Sequence, residues 1–137
     1  MNLDTYGPTT GNEEREARPL MQRLMVFAPR LEAARLRSET EWRDGDRNSM
    51  TLAKEVDFRV VLSVLRDGAT IHDDDGDGRA SLQLLEGRAV VSVDGDEVHL
   101  DTGELATVNA GQRWQLRSAG ESTVLLTIAW PREKAGI

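Results

Sequence analysis

The chain contains no cysteine, which excludes disulfides, zinc–thiolate sites and cysteine nucleophiles together. Histidine is nearly as scarce: only His72 and His99 are present, and they fall on different predicted elements. No stretch approaches the ~18 consecutive apolar residues of a membrane span. The opening MNLDTYGPTTGNEEREAR has neither the basic start nor the apolar run of a secretory signal. A soluble, cytoplasmic protein without a membrane partner is expected. Positive charge is also in deficit, with 17 Lys and Arg against 24 Asp and Glu and a net charge of −7. Such a balance repels phosphate backbones, and the basic residues form no aromatic-interleaved patch, so nucleic acid is not an expected partner. The acidity is read as solubility.

What is present fits one domain with an extension, since 137 residues support one proper core but not two. Residues 1–12 are polar and broken by Gly7-Pro8 and Gly11, which reads as a flexible tail. From Glu13 to about Arg37, Leu20, Leu24, Phe27 and Leu31 recur every three or four residues. That spacing predicts an amphipathic helix packed on the rest of the protein or on a second subunit. Pro29 lacks a backbone donor, so two short helices or one kinked helix are expected within a helical extension over 13–45.

After Arg43-Asp44-Gly45-Asp46 the period shortens to two. The segments MTLAKEV, DFRVVLSVL, ASLQLLE, AVVSV, EVHL, LATVN, RWQLRS and STVLLTIAW are separated by Gly- and Asp-rich breaks. About eight short strands at this spacing predict an all-β antiparallel sandwich or barrel over 46–133. Val93-Asp94-Gly95-Asp96 is the clearest turn, because Asp-Gly suits the positive φ angles of a two-residue hairpin.

The run from Gly68 to Gly87 ending in LQLLEGRAVVSVDG, then Leu100-Asp101-Thr102-Gly103-Glu104 and Asn109-Ala110-Gly111, resembles the two signature motifs of the cupin superfamily. Those motifs read G-x5-H-x-H-x(3,4)-E-x6-G and G-x5-P-x-G-x2-H-x3-N. Gly68, Gly87, Gly103 and Gly111 stand at the matching intervals, and the resemblance extends over residues 42–131. It is closest to small single-domain bacterial cupins of the cupin_2 type. The fold it implies is a double-stranded β-helix, a jelly-roll barrel, behind the short N-terminal helical extension.

The departures from the motif bear on chemistry. The two histidines of the first motif fall at Asp74 and Gly76 and its glutamate at Ala80. The histidine of the second falls at Trp114, its proline at Asn109 and its closing asparagine at Ser118. A cupin metal needs imidazoles and a carboxylate converging on one point. Gly76 and Ala80 carry no donor atom, and an indole N–H has no lone pair for a metal. No metal and no cofactor are therefore expected. Asp73-x-Asp75-x-Asp77-Gly78 matches the first half of a calcium loop, but position twelve is Leu84 and the flanks read as strands. An exposed acidic turn is the favoured reading of that run. His99 alternates with Val98 and Leu100 and belongs on an outer strand face. Ser81, His72 and Asp74 could be assembled into a triad on paper, but no nucleophile-elbow sequence surrounds the serine. Gly76 and Gly78 precede a strand and not the helix that a phosphate cradle requires.

On the implied fold, Asp74, Ala80, Leu82, Gln112 and Trp114 ring the barrel mouth with His72 at its edge, a set suited to a small organic ligand. Two readings of Trp114 stay open, a stacking surface for a flat ligand or a plug that closes the barrel. Three functional readings follow. The first is a metal-free cupin that binds a small molecule or regulates. The second is a divergent enzyme, an isomerase or lyase using His72 and Asp74 as acid and base, or an oxygenase with a rebuilt metal site. The third is a structural domain. Gln83 and Leu85, on the opposite strand face, mark where a homodimer is expected.

Overall fold

The computed structural model describes residues 23–73 and 76–131. Among these, helices α1 (Pro29–Arg37) and α2 (Thr40–Asp44) precede nine strands: β1 (Arg47–Lys54), β2 (Phe58–Leu65), β3 (Thr70–Asp73), β4 (Arg79–Glu86), β5 (Arg88–Val93), β6 (Asp96–Asp101), β7 (Leu105–Val108), β8 (Trp114–Ser118) and β9 (Ser122–Ala129). They form two antiparallel sheets, ordered β1-β2-β9-β4-β7 and β3-β8-β5-β6. The pairing of β2 with β9 and of β5 with β8 closes the chain into a double-stranded β-helix.

Strand alternation fills the space between the sheets. Ala80, Leu82 and Leu84 of β4 are buried while Ser81, Gln83 and Leu85 are half-buried. The inward residues of β4 meet Val124, Leu126 and Ile128 of β9 from the same sheet and Ile71, Val91 and Leu116 from the opposite one in a single core. β3 is the strand the sequence pattern left out. Its four residues sit between a Gly turn and an acidic run, too short to show a period of their own.

The Asp94-Gly95 hairpin forms as the dipeptide predicts. Val93 pairs with Asp96, and Asp94 and Gly95 take φ of 51° and 86°. The four framework glycines Gly68, Gly87, Gly103 and Gly111 all adopt positive φ. At Gly87 a side chain is also excluded by space, because a Cβ would stand 2.3 Å from the Glu121 carbonyl.

The N-terminal region departs from its expected phase. Residues 24–28 are not helical, and the helix begins at Pro29 itself. Proline is suited to that first position, where its missing N–H costs nothing and its fixed φ is already helical. The buried and half-buried face then runs through Pro29, Glu32, Ala33, Leu36 and Arg37 at i, i+3, i+4, i+7 and i+8. Leu24 and Leu31 of the expected stripe are 82% and 73% exposed, and only Phe27 packs inward. Leu20 lies outside the described residues, as do the 1–12 tail and residues 13–22 of the expected extension.

α1 and α2 cover the outer face of β1 and β2. Ala33, Leu36 and Trp42 pack there on Met50, Leu52, Leu62 and Val64 as a second core. Two cations lie over the Trp42 ring, with the Arg66 guanidinium 4.1 Å and that of Arg37 5.3 Å from its centroid. Such stacking contributes about 0.5–2 kcal/mol according to how far it is desolvated. Arg66 also donates to the carbonyls of Trp42 and Gly45. Arg37 donates to Ser122 and Thr123 on β9.

Candidate functional site

β3 alternates across its sheet, with Ile71 buried, His72 exposed and Asp73 only 4% exposed. The register pairs Asp73 with Trp114 and Trp114 with Val93. These three residues form one inward row across β3, β8 and β5, continuing the row of Ile71, Leu116 and Val91. One step back, His72, Gln115 and Ser92 pair in an outward row. Around the end of this sheet lies a cleft of about 420 Å³. β3 contributes His72 and Asp73 to it, β5 and its turn contribute Ser92 and Asp94, and the start of β8 contributes Arg113, Trp114 and Gln115.

Trp114 belongs to both regions. Its side chain is 2% exposed and packed in the inter-sheet core, and it borders the cleft. Its Nε1–H is buried with no hydrogen-bond partner among the described residues, a state that costs about 1–3 kcal/mol. Asp73 has a structural task at the same point, since its Oδ1 accepts a hydrogen bond from the Gly76 backbone N–H at 3.1 Å. Gly76 in turn accepts from the Gly111 N–H at 2.5 Å. A Cβ on Gly76, whose φ is +69°, would stand 3.2 Å from the Gln112 carbonyl. The segment after β3 and the segment before β8 are thereby joined, with Gln112 half-buried at the junction.

The expected site residues thus take different places. His72 and Trp114 line one cleft. Ala80 and Leu82 are 5% and 0% exposed and belong to the inter-sheet core. Gln112 meets the site through its backbone, and Asp74 lies outside the described residues. Ser81 is half-buried in the other sheet, on the face opposite Ala80 and Leu82. His99 is exposed and pairs with Val90 on the outward face, as its alternation predicts, two residues out of step with the His72 row. Five residues that line the cleft are absent from the sequence candidates: Asp73, Ser92, Asp94, Arg113 and Gln115. Asp73 is the inward acid of β3, hidden because the strand itself went unseen. Arg59 is half-buried and shares the inward parity of Val61 and Leu65 on β2, beside Ile128 in the register. The two-residue period of DFRVVLSVL carried that signal.

The donor set does not fit the metal of a typical cupin. Trp114 stands where the second-motif histidine is implied, and its ring fills core space. Ala80 is an apolar core residue, and Gly76 has no side chain. Among the described residues no three His, Asp or Glu side chains converge as ligands. The half calcium loop is flanked by strands β3 and β4. Its first carboxylate, on Asp73, faces inward onto Gly76, its third, on Asp77, is exposed, and Asp75 lies outside the described residues.

No family model and no curated protein matches this sequence. Solved structures do match its fold. A cupin superfamily protein from Desulfitobacterium hafniense superposes with a TM-score of 0.64 at 19% identity, covering 85% of this chain and 100% of its own. A conserved protein of unknown function from Streptococcus pyogenes gives 0.62 at 19% identity over 82% of this chain and 93% of its own. The Cupin_2 domain of an XRE family transcriptional regulator from Enterobacter cloacae gives 0.56 at 15% identity over 64% and 99%. The chain has the cupin fold, with its strands in the two-sheet barrel of that superfamily. No helix among the described residues is long and apolar enough to cross a membrane.

Proposed function

We propose that this protein is a metal-independent cupin that binds a small organic molecule and serves a regulatory role. The observation that carries the proposal is the cleft beside Trp114, a concavity of about 420 Å³ within the size range of small-molecule sites. It is edged by an aromatic ring and several polar side chains, while three of the four positions corresponding to metal ligands hold glycine, alanine and tryptophan and only Asp74 keeps a donor. The likeness to the cupin domain of a transcriptional regulator agrees with a sensing module. A screen of cellular metabolites by tryptophan fluorescence tests the reading: a ligand should quench or shift the emission of the native protein and have a smaller effect on Trp114→Phe. Failure of every metabolite to change either protein's emission or melting temperature overturns it in favour of a plugged, structural barrel.

A homodimer through the outer face of the five-stranded sheet is the second part of the proposal. Leu125, Gln83 and Leu105 stand side by side there across β9, β4 and β7. Leu105 is 54% exposed and Leu125 and Gln83 are half-buried, two leucines flanking an amide that association would cover.

A further inference from the structure

The cleft carries opposite charges that do not neutralise each other. The register pairing Val93 with Trp114 brings Asp94 and Arg113, one residue beyond the ladder on each strand, to the same end of neighbouring strands. Both are exposed and both line the cleft. Yet neither takes part in any ion pair found among the described residues. At the far end of the strands the surface pairs Arg47–Asp46 at 3.0 Å and Arg88–Asp101 at 3.7 Å do form. The neighbouring Ser92 and Gln115 add a hydroxyl and an amide that face outward in one row.

Resting on the reading of the cleft as a ligand site, we propose that its ligand is a small zwitterion of the amino-acid type. The carboxylate is held by Arg113 and the ammonium by Asp94. A guanidinium presents a planar fork that matches a carboxylate in two parallel hydrogen bonds. Asp94 supplies an acceptor-only carboxylate to an ammonium, which is donor-only. A simple anion would meet Asp94 and the buried Asp73, and a simple cation would meet Arg113. A molecule carrying both charges a few bonds apart satisfies each side, and the outward hydroxyl and amide are left to read its side chain. The size of the cleft agrees with a molecule of this class.

Isothermal titration calorimetry of the full chain tests this with the standard L-amino acids, each beside its amide, which lacks the carboxylate, and its N-acetyl form, which lacks the ammonium. At least one amino acid should bind, with both of its derivatives weaker by about tenfold or more, the scale of losing one charge-assisted hydrogen bond. Arg113→Gln should weaken the amino acid while leaving its amide unaffected. Asp94→Asn should weaken it while leaving the N-acetyl form unaffected. Asparagine keeps the positive-φ turn, so that loss would not come from misfolding. Derivatives that bind as well as the parent overturn the zwitterion, as does an uncharged metabolite that binds this cleft when no amino acid does. In both cases the ligand-site reading stands. An absence of binding by every amino acid and every metabolite overturns both.

Discussion

Asn48 holds the buried carboxylate of Glu39 through a 2.8 Å hydrogen bond from its side-chain amide. The same amide donates to the Leu36 carbonyl at 2.9 Å, so one side chain on β1 fastens the end of α1 and the start of α2. Both Asn48 and Glu39 are nearly inaccessible. Asn48→Ala removes this donor from a buried carboxylate and is expected to cost about 1–3 kcal/mol in chemical denaturation. Asn48→Asp should be worse at neutral pH, because two carboxylates then face each other. Protonation of either one relieves the repulsion, so the variant should regain stability as pH falls. Equal losses for Asn48→Asp at pH 7 and pH 4.5 would contradict this contact.

Gly87 and Gly95 separate two reasons for a glycine. Both have positive φ, but only Gly87 has a backbone in the way, with the Glu121 carbonyl 2.3 Å and Ser122 Cα 2.9 Å from a Cβ, while nothing lies within 4 Å at Gly95. Gly95→Ala is expected to cost about 1 kcal/mol of backbone strain. Gly87→Ala should lose that and more, because the β4–β5 and β8–β9 connections must move apart. Thermal melts of the two variants should differ by several degrees, with Gly87→Ala the lower.

Asp46 titrates below the ordinary carboxylate range, chiefly through its side-chain hydrogen bond with Arg47, which outweighs the opposing effect of burial, with the charge of Arg47 adding a lesser lowering. Its folded-state pKa is depressed, so the pair stabilises above the unfolded-state pKa and is lost as pH falls through the lower folded one. With 59% of its side chain exposed, solvent screening keeps the contribution at about 0.2–1 kcal/mol. Arg47 also donates to the Thr70 carbonyl, so Asp46→Asn should change stability slightly at pH 7 and not at all at pH 2. A larger deficit at pH 2 than at pH 7 would reverse the sign and refute the account.

Leu105→Glu tests the association face. Sedimentation of the native chain should show a dimer and the variant a shift towards monomer at equal concentration, with unchanged melting of the monomer, since Leu105 is mostly exposed. A native monomer, or a dimer indifferent to the substitution, would remove this part of the proposal.

The barrel was legible because strand alternation and turn chemistry are local. Residues 79–85 alternate until the register shifts before Glu86, and Asp94-Gly95 can hardly be anything but a tight hairpin. The helix phase was not, because the apolar spacing of Leu24, Phe27 and Leu31 ran across Pro29, which starts α1 and resets which face is buried. The site was half legible. Trp114 emerged from the motif comparison, and Arg113 and Asp94 come to one cleft only through the β5–β8 register, which pairs Val93 with Trp114. Asp73 and His72 exchange roles once β3 is a strand, since a shift of one residue swaps the faces.

The central claim is that this cupin barrel works without the metal of its fold family, and the metal content of the full chain tests it most directly. The protein would be purified without chelator from cells grown with iron, manganese, nickel and zinc, then measured by plasma mass spectrometry. The account predicts each metal far below one per chain, with ligand affinity unchanged after dialysis against EDTA. One equivalent of any of the four, removed together with ligand binding, would contradict it.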